Sequence, residues 1–358
     1  DLQLGFNIGE IMKLKKWKKL IGMSLLMFFL LFNDKTYAFG KGVKIFRIYG
    51  DTRYKTANEI SKVTFNKSEY AIVVNGDKFA DGLTGGVLAS MLKAPVLLCE
   101  KDFIELDTIK EMNRLNVKKV FILGGESVLS KSLENRLSAM FKVERIYGNN
   151  RFETATKVAE KIRGLSNANN NFVGIANGMT FPDALSAGAY LSNVKVPLVL
   201  SETLGVPYET VKFFKKNYIN QVLIFGGESA IPLKTISKSF KKAVFSGNNR
   251  YETAVNIALE GYENPKFAIL VSGQKFADAL AAAPLSYLLK APVILTDKTE
   301  IDEVTKNYIL NSTVENVIVV GGENAVSDSV INIIKKADVD IIYPSNDYFG
   351  NNEGEPVG

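Results

Sequence analysis

Hydrophobic and polar positions follow the same order three times along the chain. Each copy begins with an Arg-aromatic-x-Thr-Ala sequence that continues with apolar residues at helical spacing. In the second copy these residues are Phe152, Ala155, Val158, Ala159 and Ile162. An uninterrupted apolar run comes next, at residues 70–74, 172–176 and 267–271. Each copy is therefore predicted to open with an amphipathic helix followed by a buried strand that ends at a glycine.

The rest of each copy predicts a second helix and two more strands. A Phe-x-Asp-x-Leu sequence opens the helix, and a short apolar strand led by a proline follows it. The proline strands lie at residues 94–98, 196–200 and 291–295. A further amphipathic helix and apolar strand lead to Gly-Gly-Glu at residues 124–126, 226–228 and 321–323. Because apolar strands that alternate with helices form parallel sheets covered on both faces, we predict a three-layer α/β fold with mainly parallel sheets.

A short sequence that recurs about every 100 residues separates the copies. It reads Arg-Ile-Tyr-Gly-Asn-Asn-Arg-Phe-Glu-Thr-Ala at residues 145–155, with related sequences at 47–57 and 245–254. We interpret it as a joint, in which the last strand of one module runs through a Gly-polar-polar turn into the first helix of the next. The predicted modules are residues 43–143, 144–243 and 244–343. No Pro- or Ser-rich linker separates them, so we expect them to pack tightly.

The third copy departs from the other two. It opens with Phe245-Ser246 where the others have Ile-Tyr, and no further Arg-aromatic-x-Thr-Ala sequence follows it. We expect residues 339–343 to form its closing strand. Residues 344–358 are polar and rich in Asn and Gly, and we expect them to form a frayed tail.

Residues 1–38 have the features of an export signal. A basic stretch at 13–19 precedes an apolar run at 20–32 that is too short for a comfortable membrane span. Thr36-Tyr37-Ala38 places small residues at the two positions that a signal peptidase inspects. We predict cleavage after Ala38, export of the mature chain and no stable membrane insertion afterwards. The alternative is an uncleaved signal anchor.

The amino-acid composition excludes several classes of catalytic and metal-binding site. The 358 residues include no histidine and one cysteine, Cys99. Ser-His-Asp and Cys-His nucleophiles and the usual zinc-hydrolase ligand sets each need an imidazole, so we predict no metal site and no cofactor. The formal net charge is +6, but six lysines and three acids lie within residues 1–38, which leaves only +3 for the rest. We therefore do not expect a nucleic-acid partner.

The arginines at the three helix starts, Arg53, Arg151 and Arg250, are candidates for binding. A cation in a first helical turn opposes the helix dipole by some tenths of a kcal/mol, so another interaction must compensate. One candidate is an ion pair to the Gly-Gly-Glu glutamates (Glu126, Glu228 and Glu323) or to the helix-start aspartates, and the other is an anionic ligand.

Two further motifs have both a structural and a binding interpretation. Asp81, Asp183 and Asp278 are predicted in a first helical turn, where they either cap the helix or face a ligand. The Gly-Gly-Glu sequence either forms a tight turn that needs a positive φ or binds phosphate, although it lacks the G-x-G-x-x-G and P-loop patterns. An acid pair for glycan hydrolysis is also conceivable, but triplicated binding modules are a common route to avidity.

Taken together, these motifs resemble the cell-wall-binding type 2 repeat found in threes on clostridial surface-layer and cell-wall proteins. The resemblance rests on Gly50-Asp51-Thr52-Arg53-Tyr54-Lys55-Thr56-Ala57 and its two partners, the Phe-x-Asp-x-Leu helix starts, the proline strands and Gly-Gly-Glu. It implies a Toprim- or Rossmann-like α/β module, with three modules packed as a pseudo-threefold trimer within the chain.

The resemblance also implies a function, namely non-covalent anchoring of an exported protein to an anionic secondary polymer of the Gram-positive cell wall, without enzymatic activity. It implicates the proline strand in polymer binding, which transfers to Pro95, Leu97, Leu98, Pro197, Val199, Leu200, Pro292, Ile294 and Leu295. The alternative for these apolar residues is a place in the core. The alternative function is a carboxylate-dependent wall hydrolase, or a wall protein associated with an amidase, and a phosphate-ligand sensor ranks last.

Overall fold

The computed structural model describes residues 43–165, 171–335 and 341–342. Within these ranges it confirms the predicted α/β fold of three repeated modules with parallel sheets flanked by helices. The predicted export signal, the predicted tail and part of the predicted strand at 339–343 lie outside the described residues. None of the helices in the described ranges has the length and apolar character needed to cross a membrane.

The secondary structure repeats with the same order of elements. The strands are β1 (Lys44–Ile48), β2 (Tyr70–Asn75), β3 (Val96–Cys99), β4 (Lys119–Leu123), β5 (Lys142–Ile146), β6 (Phe172–Asn177), β7 (Leu198–Ser201), β8 (Gln221–Phe225), β9 (Lys241–Phe245), β10 (Phe267–Ser272), β11 (Val293–Thr296), β12 (Asn316–Val320) and β13 (Ile341–Ile342). The helices are α1 (Arg53–Thr64), α2 (Gly85–Met91), α3 (Leu106–Arg114), α4 (Lys131–Ser138), α5 (Arg151–Leu165), α6 (Pro182–Asn193), α7 (Tyr208–Lys216), α8 (Arg250–Gly261), α9 (Ala277–Leu280), α10 (Ala283–Leu289), α11 (Glu303–Asn311) and α12 (Asp328–Ile334).

Three sheets contain these strands, and every paired strand within them is parallel to its neighbours. The first sheet has the order β3-β2-β4-β5 and the second has the order β7-β6-β8-β9. The third has the order β11-β10-β12-β1-β13. In each sheet the chain moves outward in one direction and then returns to the other side, which is the doubly wound arrangement of α/β folds.

The closing strand of the third sheet comes from the start of the described chain. β1 pairs with β12 in the register that begins at Lys44 and Asn316, and β13 pairs with the other side of β1. Within the predicted strand at 339–343, residues 341–342 do form a strand at the edge of this sheet, but β1 lies between it and β12 and takes the position that β5 and β9 hold in the other two sheets. In the first sheet β5 already holds the equivalent position, so β1 finds its open strand edge in the third module.

The predicted joints between modules are confirmed. β5 closes the first sheet and leads directly into α5, which packs against β7 of the second sheet. β9 leads in the same way into α8, which packs against β11, and β1 leads into α1, which packs against β3. Each joint thus ties two consecutive sheets together, and β1 makes the third and first sheets consecutive as well.

The pseudo-threefold arrangement centres on α2, α6 and α10, which pack against one another in all three combinations. Small residues allow this close approach, since a Cβ added to Gly86 would lie only 2.5 Å from the Cβ of Ala283. At one end of these helices the rings of Phe79, Phe181 and Phe276 form a triangle with centroid separations of 5.8, 5.5 and 5.8 Å. These contacts pack the modules as one trimer within the chain.

The second module differs from the other two at its last helix. The structure has a single 3-10 turn at Leu233–Thr235 where the first and third modules have α4 and α12. Pro232 immediately precedes this turn. A mainly apolar groove of about 570 Å³ remains between α7 and the turn, and Phe214, Tyr218 and Phe240 are part of its lining.

Candidate functional site

A cleft lies at the carboxyl ends of the strands in the first and third modules. This is the position where ligands bind in open α/β sheets, at the point where adjacent strands lead away in opposite directions. The first cleft has a volume of about 360 Å³ and is built by the loops after β2, β4 and β5, and the third has about 470 Å³ and is built by those after β10, β12 and β1. We call the equivalent region after β6, β8 and β9 the second cleft. Its corresponding residues are Thr180, Asp183, Gly227, Ser246, Arg250 and Thr253.

The three predicted aspartates lie over the first glycine of each Gly-Gly-Glu turn. This glycine has a φ of +112° at Gly124, +118° at Gly226 and +109° at Gly321. A Cβ there would lie 2.8 to 2.9 Å from Oδ2 of the facing aspartate. The facing aspartates are Asp81, Asp183 and Asp278. Both the positive φ and the carboxylate require glycine, so the motif has the tight-turn role considered above.

Each aspartate also faces an arginine from the next module. Burial raises the pKa of all three carboxyl groups, and that of Asp183 reaches about 6. Other groups act to lower these pKa values. They are Thr154 and Arg151 for Asp81, Arg250 for Asp183, and Thr56 and Arg53 for Asp278. Each aspartate therefore interacts electrostatically with the arginine at a helix start, and each of these interactions links two consecutive modules.

The predicted position of these aspartates needs one correction. Asp183 lies in the first turn of α6 and Asp278 in that of α9, but Asp81 lies in a turn before α2, which begins at Gly85. No side-chain cap hydrogen bond forms at the N-cap residues of these helices. The carboxylates face the cleft and its glycine turn, so helix capping does not account for them.

The three predicted arginines occupy the first residue of α1, α5 and α8, as the sequence indicated. Nη1 of each donates to the carbonyl oxygen of the glycine that follows a central strand. The bonds are 2.6 Å from Arg53 to Gly76, 2.7 Å from Arg151 to Gly178 and 2.6 Å from Arg250 to Gly273. Because a guanidinium carries five N–H donors, these bonds leave most of its donors available for a ligand.

The ion pairs predicted for these arginines are not the ones observed. Arg53 pairs with Asp77 at 2.9 Å, and neither Arg151 nor Arg250 has a carboxylate within ion-pair distance among the described residues. Two of the Gly-Gly-Glu glutamates accept backbone amides instead. Oε2 of Glu228 accepts from the amide of Leu233 at 3.1 Å, and that of Glu323 accepts from the amide of Asp328 at 2.9 Å. These glutamates hold the segment that follows their own turn.

The proline strands form part of the core, which is the alternative considered for them in the sequence. The side chains of Leu97, Leu98, Val199, Leu200, Ile294 and Leu295 have no exposed surface, and Pro95, Pro197 and Pro292 are buried. In this structure the nine side chains therefore present no surface to a polymer, and we assign the binding contacts to other residues. The last leucine of a proline strand packs beneath the loop after the central strand. In the second module, a Cβ added to Gly178 of that loop would lie 2.9 Å from the Cβ of Leu200.

Two further arginines, which lie inside strands, were not among the predicted site residues. Arg47 and Arg145 lie inside β1 and β5 and are almost completely buried, with 7% of each side chain exposed. Nη1 of Arg47 donates to the carbonyl oxygen of Gly321, and Nη1 of Arg145 donates to that of Gly124. Each also pairs with an acid, Asp328 or Glu134. The recurrence of Arg-Ile-Tyr-Gly at residues 47–50 and 145–148 was the available signal, and the role of the arginine is to hold the Gly-Gly-Glu turn.

Exposed aromatic and cationic residues that were not predicted lie in or directly beside the clefts. Tyr49 and Tyr147 follow the buried arginine strands by one residue and are 44% and 50% exposed. Each ring lies beside the second glycine of a Gly-Gly-Glu turn, at Gly322 and Gly125. Lys78 and Lys275 are exposed and line the first and third clefts. No group of acids and thiols suited to holding a metal ion occurs among the residues that the structure describes.

The sheets, joints and clefts define a protein of three α/β modules whose binding surfaces are repeated along one chain. The chain matches the family described as "Cell wall binding domain 2 (CWB2)" over residues 47–134, 145–236 and 245–331. It therefore belongs to this family, and the resemblance inferred from its motifs is confirmed.

Two relatives from Bacillus subtilis agree with this membership. N-acetylmuramoyl-L-alanine amidase LytC of Bacillus subtilis (strain 168) is 28% identical over 290 residues, which are 81% of this chain and 58% of the relative. The amidase enhancer of the same organism is 26% identical over 291 residues, which are 80% of this chain and 39% of the relative. The chain thus spans less than two thirds of the length of either protein.

Solved structures give the same result for the fold. Cwp6 from Clostridium difficile superimposes with a TM-score of 0.75 at 28% identity, covering 87% of this chain and 51% of that one. Cwp8 from the same organism superimposes with a TM-score of 0.72 at 27% identity, covering 82% of this chain and 51% of that one.

Proposed function

We propose that this chain holds an exported protein on the Gram-positive cell surface by non-covalent binding to an anionic secondary polymer of the wall. Membership of the cell wall binding family supports the location of the partner. The observation that carries the choice of an anionic ligand is the arginine at each helix start, whose guanidinium is held by a glycine carbonyl and, at Arg53, also by Asp77. Fixed guanidinium groups suit phosphate and carboxylate ligands.

Repetition supports binding by avidity. The clefts lie on one rigidly packed trimer, and a wall polymer presents its anionic groups repeatedly along its length. Several weak contacts on one chain then combine, because after the first contact each further one is intramolecular. The site residues in this proposal are Arg53, Arg151, Arg250, Asp81, Asp183 and Asp278. The aspartates orient the arginines and the turn, and the arginines contact the polymer.

We infer that the module has no catalytic role. Glycan hydrolysis by carboxylates needs two acids per site, one of which is protonated. Asp183, whose pKa is raised to about 6, suits the protonated role, but its neighbour Glu228 accepts a backbone amide hydrogen bond that holds its own turn. The amidase named among the relatives matches this chain over only 58% of its length. Zymography on embedded walls tests this inference, and cleared zones would establish the hydrolase instead.

Sedimentation with purified walls tests the binding proposal. The mature chain is mixed with walls that retain the secondary polymer and with walls from which it has been chemically stripped. We expect retention only on the intact walls, with release as salt is raised from low ionic strength, since exposed charge interactions are screened beyond about 10 Å at 0.1 M salt. Equal retention on stripped walls would refute the proposal.

A further inference from the structure

The three clefts are not equivalent, and we propose that the first and third clefts bind the polymer while the second contributes little. Each of the two binding clefts takes one anionic group together with the face of an adjacent sugar ring. This proposal rests on the proposed function and specifies which sites carry it. The second cleft differs from the other two at three positions, and at each of them it lacks a side chain that the other two have.

The first difference is a lysine. Lys78 lines the first cleft and Lys275 lines the third, one residue before the phenylalanine of the central triangle. Lys275 is held at the cleft by a 2.8 Å bond from Nζ to the carbonyl oxygen of Asn324, and both lysines lie close enough to the cleft aspartates to lower their pKa. The second cleft has Thr180 at this position. At this position it therefore has a neutral hydroxyl where each of the others has a cation.

The second difference is an aromatic ring. A Cβ added to Gly322 would lie 3.4 Å from the ring of Tyr49, and one added to Gly125 would lie 3.6 Å from the ring of Tyr147. At the same place in the second module, Gly227 faces the side chain of Ser246 at 3.9 Å. A half-exposed tyrosine ring supported by a glycine turn provides an apolar face with a polar edge. Such a surface suits the face of a pyranose, and the serine has none.

The third difference is the buried clamp on the Gly-Gly-Glu turn. Arg47 holds the turn of the third cleft through Gly321 at 2.8 Å, and Arg145 holds that of the first through Gly124 at 2.7 Å. The equivalent residue on β9 is Val244, whose side chain is a hydrocarbon and cannot make the hydrogen bond that the arginine guanidinium makes. The turn that supports the ring is thus fixed from inside the strand in two modules and not in the third.

These differences coincide in one module. A cleft lysine, a tyrosine beside the second glycine of the turn and a buried arginine occur at both the first and third clefts, and the second module has Thr180, Ser246 and Val244 at these positions, while it keeps the residues that build the joint. The retained residues include Gly247, Thr253 and Arg250, and the amide of Gly247 still donates to the Thr253 hydroxyl at 3.0 Å. The second joint keeps its part in the trimer without the groups that would bind a charged sugar.

Wall-binding isotherms on purified walls test the proposal with the full mature chain. The variants are Tyr49→Ser, Tyr147→Ser, their combination, and the exposed control Tyr208→Ser on α7. We expect each single cleft variant to bind about fivefold more weakly, and the double variant about a hundredfold more weakly because the avidity is lost. The control should bind as the parent chain does. Unchanged thermal unfolding of each variant would show that the half-exposed substitutions leave the fold intact.

A gain-of-binding variant provides the complementary measurement. Thr180→Lys combined with Ser246→Tyr gives the second cleft two of the groups that it lacks, and we expect binding about tenfold tighter than that of the parent. Unchanged binding by the two tyrosine variants, or by this gain variant, would overturn the assignment of the working clefts. Failure of the parent chain to bind walls at all would instead refute the proposed function, so the two failures are distinguishable.

Discussion

Because β1 belongs to the third sheet, a substitution in β1 should destabilise the third sheet. In a linear array of repeats, the same substitution would destabilise the first sheet. Ile48 on β1 and Ile146 on β5 occupy matching positions in two closing strands, and they are 2% and 7% exposed. Ile48 is in register with Val320 of the third sheet, whereas Ile146 is in register with Leu123 of the first. Replacing either isoleucine by alanine leaves a cavity in the core. Such changes cost about 2 to 5 kcal/mol, and we expect about 3 kcal/mol here because both side chains are buried in the main hydrophobic core.

Hydrogen exchange resolved by segment locates the loss. In Ile48→Ala, we expect amides of β12 and β10 to exchange about a hundredfold faster, the factor that corresponds to about 3 kcal/mol, while β2 and β4 change much less. Ile146→Ala is the matched control and should affect β4 and β2 first. The strand-closing argument would be refuted if Ile48→Ala loosened the first sheet instead, which is what its place in the first sequence repeat would suggest.

Three further predictions follow from the clefts. Gly124→Ala should destabilise the chain by about 2 kcal/mol, because the φ is positive and the new Cβ meets the carboxylate of Asp81, while Gly125→Ala should be milder; chemical denaturation measures both. Arg145→Met should cost about 2 to 4 kcal/mol by leaving buried partners unpaired, also measured by denaturation. The pKa of Asp183 is raised on folding, so its contribution to stability is greatest below pH about 4 and falls as pH rises toward about 6; Asp183→Asn should remove this slope in thermal unfolding.

Much of the fold could be predicted because its signals are local and repeated. Pro182 begins α6, and the carbonyl oxygen of Pro95 accepts the amide of Ile72 where the proline strand begins. The joints could also be predicted, since the residues of a closing strand, a turn and a helix start are continuous in sequence. The strand with which β1 pairs could not be predicted. β1 has the same local sequence pattern as β5, and only closure of the ring places it beside β12.

The candidate site shows the same division. The arginines were predicted from a conflict with the helix dipole, but their observed partner is a glycine carbonyl, and backbone oxygens carry no sequence signal. The proline strands were implicated through resemblance, and burial moves them into a supporting role. Tyr49 and Lys275 lie more than 220 residues apart in sequence, and the third cleft brings them together only because β1 and β10 belong to one sheet.

The sequence by itself determined the number of modules, the order of their helices and strands, the joints and the residues at each helix start, because periodicity, glycine turns and repetition all act over short distances. The tertiary structure decided which strand closes the third sheet, which residues face one another across each cleft, and that the three clefts differ. Those facts depend on packing three similar surfaces around one axis, where each contact joins residues from different modules and no local pattern specifies the pairing.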